Sequence, residues 1–363
     1  MPFNSLVGIL QTLELGFIQE LEVFDWFQAL SEQSLFATQL GRIYNVRSLK
    51  LAYYHWAFPP RGRQSSSCFL SQLSKLGHLQ KLHLSYSYIS GSLHHLLRCL
   101  QVPLHTLEIR SCTLLDTDIT YLSQSLHATC LRKLDLSGIN LSYMVPGPLE
   151  TLLAKVSGTL QHLDLNHCQL KDAHLSAILP ALCRCSRLSS LGLSNNLVSR
   201  AGLLSLPERT AGLAELKRVL YPIPIECCVY LHGVSWGPVN KGRLCQMQAE
   251  MQKLLQAMQR ADMQWSPPLP SPLPMRLMQL DWGRGRARGT ATPTRGSRRA
   301  DAGAQNAGTP EALDPEVGVA GGRPGSKSRS GNPCGAAGER RAKVLSLGRS
   351  EKLQERAFFG RVS

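Results

Sequence analysis

Charged side chains recur at one fixed position in a series of short, leucine-spaced segments of this chain. Glu108, Asp135 and Asp164 each stand between two apolar residues, directly after a leucine. If these segments form adjacent parallel strands about 4.8 Å apart, the three carboxylates line up on one face. Such a row could dock a basic partner segment. The alternative is a solvated face on which Arg110 and Lys133 offset the acids.

The equivalent position in other segments is also polar or charged, and aromatic residues lie nearby. Its occupants along the chain are Glu14, Lys50, His83, Glu108, Asp135, Asp164 and Gly192. Tyrosine is enriched at interface hot spots, although ordinary packing against a neighbouring insertion explains the tyrosines here equally well. The predicted protein-binding residues are Glu108, Asp135, Asp164, Arg110, Lys133, His162, Tyr53 and Tyr86.

No catalytic residue, cofactor site or metal site is predicted. Two cysteine and histidine groups lack the paired C-x-x-C spacing of zinc sites: Cys227 with Cys228 and His232, and His94 with His95 and Cys99. Cys168 stands beside His167, but its place in the repeat predicts that it points inward, away from any substrate. No glycine-rich phosphate loop follows a predicted strand.

The segments that carry these residues share one sequence motif. It reads LHTLEIRSCTL from Leu104, LRKLDLSGINL from Leu131, LQHLDLNHCQL from Leu160 and LSSLGLSNNLV from Leu188. The pattern L-x-x-L-x-L-x-x-N/C-x-L, repeated at intervals of about 20–29 residues, is the signature of leucine-rich repeats. Looser copies begin at Leu10, Val46 and Leu79, and a degenerate copy begins at Leu213.

Each copy of the motif predicts a short strand. After it, the apolar residues recur at the three- and four-residue spacing of a helix. Counting from the first leucine of each copy as zero, the leucines at offsets zero, three and five should point inward. The Asn or Cys at offset eight should form hydrogen bonds with backbone groups of the turn. Apolar stripes predict helices after Thr117, from Pro148 and after Asp172. The fold class is therefore α/β, a right-handed leucine-rich repeat solenoid of horseshoe form with a disordered C-terminal tail.

Composition divides the chain into three predicted regions. Residues 1–220 form the repeat solenoid, 221–265 a C-terminal capping segment with an amphipathic helix, and 266–363 a disordered, basic, low-complexity tail. Most of the net charge of +15 belongs to this tail. Its RGRARG stretch lacks the aromatic residues that stack on bases, so weak nucleic-acid contact and a functionless solvated tail both stay open. Residues 342–360 predict a transient helix.

The cysteines and the N-terminal residues indicate the compartment. The 11 cysteines are scattered through the repeats rather than paired at the ends, as expected of reduced thiols. The first residues lack a basic stretch and a small-residue cleavage site. No apolar run is long enough to span a membrane. We therefore expect an intracellular protein, cytoplasmic with the nucleus as a second compartment.

The last repeats and their exit resemble the PRAME family of intracellular leucine-rich repeat proteins, in particular its somatic leucine-rich repeat-containing relatives. The similarity covers about Leu79 to Trp265. It includes the closing sequence ELKRVLYPIPIECC, a QAE-containing helix and DMQW. The family's N-terminal region, which carries a ubiquitin-ligase docking box, has no counterpart in the sequence.

The resemblance implies a regulator without enzymatic activity. Such a regulator would be an adaptor that damps Toll-like receptor/NF-κB signalling by binding the IκB kinase. The alternative is a substrate-recognition subunit of a cullin-RING ubiquitin ligase, or a transcriptional corepressor. The implied partner is a protein bound on the concave face, with no specific nucleic acid and no membrane.

Overall fold

The computed structural model describes residues 15–24, 37–53, 63–228, 238–260 and 343–348. The chain divides into two compact units, one comprising residues 1–270 with 341–363 and the other residues 271–340. All described residues belong to the first unit.

One parallel sheet runs through the described residues. Its strands are β1 (Ile18–Phe24), β2 (Ser48–Ala52), β3 (Lys81–Ser85), β4 (Thr106–Arg110), β5 (Lys133–Asp135), β6 (His162–Asp164), β7 (Ser190–Gly192), β8 (Arg218–Leu220) and β9 (Lys343–Gly348). Strands β1 to β8 lie in chain order, and β9 pairs with β1 at the opposite edge from β8. This is the predicted α/β leucine-rich repeat solenoid.

Helices connect most of the successive strands. They are α1 (Arg63–Leu73), α2 (Leu93–Cys99), α3 (Asp116–Gln124), α4 (Pro146–Val156), α5 (Asp172–Leu182), α6 (Arg200–Arg209) and α7 (Lys241–Ala257). Helices α3 and α5 lie where the apolar stripes predicted them. Helix α4 begins at Pro146, two residues before the predicted start, because proline suits the first helical turn.

The core lies between the sheet and the helices and continues from repeat to repeat. The leucines at offsets three and five are buried as predicted: Leu134, Leu136, Leu163, Leu165, Leu191 and Leu193 are at most 2% exposed. Apolar helix residues such as Leu152 and Ile178 close the other side. Each repeat therefore buries its apolar face only against its neighbours.

The offset-eight position satisfies turn backbone groups, as the sequence predicts. Asn196 is fully buried, and its side chain accepts from the backbone N–H groups of Cys168 and Leu170 at 3.1 and 3.0 Å. Its amide group donates to the carbonyls of Leu165 and Leu193, both at 2.8 Å. The thiol of Cys168 donates to the carbonyl of Leu136 at 3.2 Å, which is a weaker version of the same contact.

Two peripheral repeats are in a different register from the one predicted. Leu21 and Val23 of β1 pair with Leu49 and Leu51, so the first repeat begins at Ile18 rather than at Leu10. Glu22 thus takes the offset-four position assigned to Glu14, which lies outside the described residues. The start of the repeat and its offset-four residue were both predicted wrongly because the leucine spacing at this end fits the motif in more than one register.

The last repeat begins at Leu216 rather than Leu213. Val219 pairs with Leu191, and Arg218 is exposed instead of facing inward. Val219 and Tyr221 occupy the two buried positions, and Tyr221 is 1% exposed. The prolines after Tyr221 then lead the chain away from the sheet.

The C-terminal elements confirm one prediction and correct another. Helix α7 buries Met247, Met251 and Leu255, which is the apolar face predicted for a capping helix. Within the predicted tail, Lys343–Gly348 form strand β9, so the transient helix predicted there is wrong. Alternating leucines in this stretch pair with β1, and this pairing satisfies backbone groups that an isolated short helix would leave in water. Residues 261–342 and 349–363 lie outside the described residues.

Every cysteine that the structure describes is a free thiol. No helix in the described ranges is both long and apolar enough to cross a membrane.

Candidate functional site

The candidate site is the open face of the sheet, formed by strand side chains that do not point towards the helices. Cα partners across neighbouring strands place one row in line: Glu22, Lys50, His83, Glu108, Asp135, Asp164 and Gly192. The predicted alignment of Glu108, Asp135 and Asp164 is therefore confirmed. Lys133 and His162 pair in the row beside it.

Glu108 lies at the centre of an ion-pair cluster contributed by three strands. Its carboxylate is 2.6 Å from Lys133 Nζ, 3.0 Å from Arg110 Nη2 and 2.9 Å from His83 Nδ1. Burial by itself raises the pKa of Glu108, but the hydrogen bonds from His83 and Lys133, with the charge of Arg110, outweigh burial and hold the pKa at about 2. Glu108 is thus anionic and already satisfied within the sheet.

Asp135 is fully buried beside the guanidinium of Arg110. Arg110 donates from both Nε and Nη2 to Asp135 Oδ2 at 2.7 Å, which is a two-pronged contact. The backbone N–H and the hydroxyl of Ser137 donate to the other carboxylate oxygen. Burial lowers the pKa of Arg110, but the charges of Asp135 and Glu108 outweigh that effect and raise it. Arg110 therefore bridges two acids of adjacent strands.

Asp164 differs from its two neighbours in the row. It is half-buried and accepts from the backbone N–H of Asn166 at 3.1 Å. Burial and the nearby charge of Asp135 raise its pKa. Gly192 occupies the next place in the row, and a Cβ there would lie 2.6 Å from Asp164 Oδ1. The glycine therefore leaves room for the Asp164 carboxylate.

The predicted stripe of exposed carboxylates is wrong at two of its three positions. The side chains of Glu108 and Asp135 are only 9% and 1% exposed, whereas those of Lys133 and Arg110 are 38% and 48% exposed. Because long cationic side chains reach over the short acids that they pair with, the cations meet solvent first. The centre of the open face thus presents positive groups above a layer of buried acids.

A cleft of about 310 Å³ opens on this face over strands β1 to β4. It is lined by Phe24, Lys50, Leu51, Ala52, His83, Ser85, Glu108 and Arg110. An aromatic ring, small side chains and cationic groups share the lining. Lys50 at its rim pairs with Glu22 of β1.

Tyr53 and Tyr86 lie together where β2 and β3 end. Their rings stack with centroids 5.0 Å apart and planes 8° apart. The side chains are exposed, as is that of Tyr88. The predicted tyrosine cluster is thus present as a stacked surface pair, at a centroid distance usual for aromatic pairs.

A ladder of left-handed backbone conformations, which the sequence did not reveal, positions these tyrosines. Residues at offset seven have positive φ in successive repeats: Tyr53, Tyr86, Ser111, Gly138, His167 and Asn195. The N–H groups of the first five donate to a carbonyl of the following repeat, as from Tyr53 to Ser85 at 2.9 Å. The glycine and asparagine at this offset were the available signal, since both tolerate this conformation.

The remaining candidates have ordinary surroundings. His162 is half-buried, and burial together with the charges of Arg218 and Lys133 lowers its pKa, so its imidazole is neutral near pH 7. Cys168 is fully buried, and burial raises its pKa. No group of three or more metal-ligating side chains occurs within the described residues. His232 lies outside them.

Comparisons with known proteins identify the family. The chain is 38% identical over 277 residues to leucine-rich repeat-containing protein 14 of Xenopus laevis, covering 73% of this chain and 54% of that protein. It is 40% identical over 259 residues to human PRAME family member 12, covering 70% of this chain and 52% of the relative. The chain thus spans about half the length of the curated relatives that it matches. Residues 1–269 match the PRAME C-terminal domain, and the chain belongs to the PRAME family.

Proposed function

We propose that this chain is a protein-binding adaptor that negatively regulates Toll-like receptor/NF-κB signalling by binding the IκB kinase through the open face. The observation that carries the binding part is the layering of charge, with cationic groups outside and carboxylates inside. The signalling part is supported by membership of the PRAME family and by the resemblance to its somatic branch. The adaptor has no enzymatic role.

The open face suits an acidic partner segment rather than the basic one that the sequence suggested. Lys50 and Arg110 line the cleft, and Lys81 and Lys133 lie in the neighbouring row of β3 and β5. The acids beneath Arg110 and Lys133 are already paired. A partner carboxylate would meet these cations without displacing Glu108 or Asp135. In this proposal the two buried acids hold the cations in place.

The stacked tyrosines extend the surface beyond the cleft. Exposed tyrosines bring a large apolar area with a polar tip and are enriched at binding hot spots. Tyr53 and Tyr86 would pack against apolar side chains that flank the acidic segment. His162 and Asp164 lie at the other end of the surface and would contact polar groups of the partner.

The test is direct binding of purified IκB kinase to the purified chain. Replacing Lys50→Glu and Lys81→Glu together reverses charge beside the cleft, and we expect affinity to fall by about tenfold or more. The remaining affinity should depend less on salt, since the screened attraction has been removed. The matched control is Lys155→Glu with Arg184→Glu, which makes the same charge change at exposed residues near α4 and α5.

The outcomes separate the parts of the proposal. Equal loss in both variants would show that net charge matters and that the open face does not. Absence of kinase binding, with binding to a purified cullin-RING ligase scaffold, would replace the signalling role with that of a substrate receptor. In cells, the open-face variant should relieve repression of a Toll-like receptor-driven NF-κB reporter, while the control should not.

A further inference from the structure

Strand β9 differs from every other strand of the sheet in how it arrives there. Strands β1 to β8 pair with their neighbours in chain order, whereas Lys343–Gly348 come from far beyond α7 and pair with β1. The pairing is parallel, like all other pairings in this sheet. A distant segment of the chain therefore pairs with β1 on the side away from β2.

The register of this pairing continues the repeat pattern. Leu345 pairs with Leu21 and Leu347 with Val23, and these β1 residues take the two inward positions of their repeat. Ser346 pairs with Glu22, which belongs to the open-face row. The sequence VLSLG thus matches the apolar alternation of SLKLA in β2. In sequence and in register, β9 repeats the strand half of a leucine-rich unit.

An unpaired sheet edge presents a row of N–H and C=O groups that invites another strand. Adding an extended segment to such an edge is a recurrent mode of recognition, in which backbone hydrogen bonds supply affinity and alternate side chains supply specificity. We propose that the edge of β1 is a docking site for an extended, parallel strand with leucine at alternate positions. Lys343–Gly348 occupy this site in cis as a displaceable cap.

The cap should be separable from the repeats beside it. It contributes a single six-residue strand. Repeats in the middle of the sheet are joined by helix packing as well as by strand pairing, as between α3 and α4 and between α4 and α5, whereas the described part of the C-terminal segment is the strand alone. A peptide with the sequence of residues 341–350 offers the same backbone and the same leucines. Such a peptide should therefore bind to β1 whenever strand β9 of the same chain is not paired with β1.

The experiment uses the full-length chain with one cap variant and one matched control. Leu347→Lys places a charge at the register position that pairs with Val23. Ser346→Lys makes the same change one residue earlier, at the position opposite Glu22. Amide hydrogen exchange is measured over residues 18–24 and 343–348, and binding of a fluorescent peptide of residues 341–350 is titrated. Urea unfolding of both variants checks that the repeats stay folded.

We expect exchange over residues 343–348 to be slowed in the wild-type chain and in Ser346→Lys, and to be faster by about tenfold or more in Leu347→Lys. The peptide should bind Leu347→Lys at least about tenfold more tightly than the wild-type chain, in which the attached strand competes. Unprotected residues 343–348 in the wild-type chain, equal loss of protection in both variants, or equal peptide affinity for all three chains would each overturn the proposal. A peptide that binds none of the chains would also overturn it.

Discussion

Replacing Glu108 with glutamine should remove a stabilising charge that depends on pH in a defined way. Glutamine has nearly the shape of a protonated glutamate, so Glu108→Gln imitates a chain in which this carboxyl never ionises. In the folded protein the carboxylate lies against Lys133, Arg110 and His83. The substitution leaves Leu107 and Ile109, on either side of the position, unchanged.

The magnitude follows from the pKa of Glu108, which falls from the ordinary value of 4.5 to about 2 on folding. Since each pKa unit corresponds to about 1.4 kcal/mol, ionised Glu108 contributes roughly 3 kcal/mol to the free energy of unfolding. A depressed pKa means that this contribution is fully present above about pH 4.5 and is lost as the pH falls towards 2. Glu108→Gln should thus be destabilised at neutral pH and approach the wild type in acid.

The assay is urea unfolding of both chains at pH 7 and at steps down to the lowest pH at which unfolding stays cooperative. Asp164→Asn is a matched control in the same row, and the expected change in its stability at pH 7 has the opposite sign. The pKa of Asp164 is raised, first by burial and then by Asp135. Its ionised form therefore costs stability at pH 7, and neutralising it should stabilise the chain or leave it unchanged.

A difference between wild type and Glu108→Gln that stays constant with pH would refute the electrostatic reasoning and indicate lost packing instead. A loss well below about 1 kcal/mol at pH 7 would mean that Lys133 and Arg110 recover their hydration when the charge is removed.

Two further substitutions test the repeat core. Leu163→Ala should lower the free energy of unfolding by about 2–5 kcal/mol, because the leucine is 2% exposed, whereas Gln161→Ala on the same segment should stay within about 0.5 kcal/mol in the same urea titration. Asn196→Ala should cost about 2–4 kcal/mol, since it leaves the buried N–H groups of Cys168 and Leu170 unpaired. Asn195→Gly, at a positive-φ residue beside it, removes one side-chain hydrogen bond, to His167, and should cost at most about 1 kcal/mol, and equal losses at the two positions would contradict the assigned hydrogen bonds.

The central repeats were predictable because several independent signals coincide in them. Leu134, Leu163 and Leu191 stand at fixed offsets, so a shift of one residue would turn every leucine outward. At the first repeat the leucines fit the motif in two registers. The motif alone could therefore not decide whether this repeat begins at Leu10 or at Ile18. That choice depends on pairing with the next strand, which is a contact between distant residues.

The open face was predictable in its alignment but not in its charge. Register placed Glu108, Asp135 and Asp164 side by side, and the structure confirms it. Which charges meet solvent depends on the lengths and directions of Arg110 and Lys133, and these are set only when the strands are assembled. Strand β9 was missed because a short leucine alternation far from the other repeats matches a helix as well as a strand.

The cluster around Glu108 also bears on how the repeat array unfolds. In a stacked array, stability is a sum of terms within each repeat and terms between neighbours, so the ends can open while the middle stays closed. The Glu108 carboxylate contacts side chains of β3, β4 and β5, so it stabilises two interfaces between neighbouring repeats at once. Opening that begins at either end should therefore slow at these strands, which would unfold as a single cooperative unit.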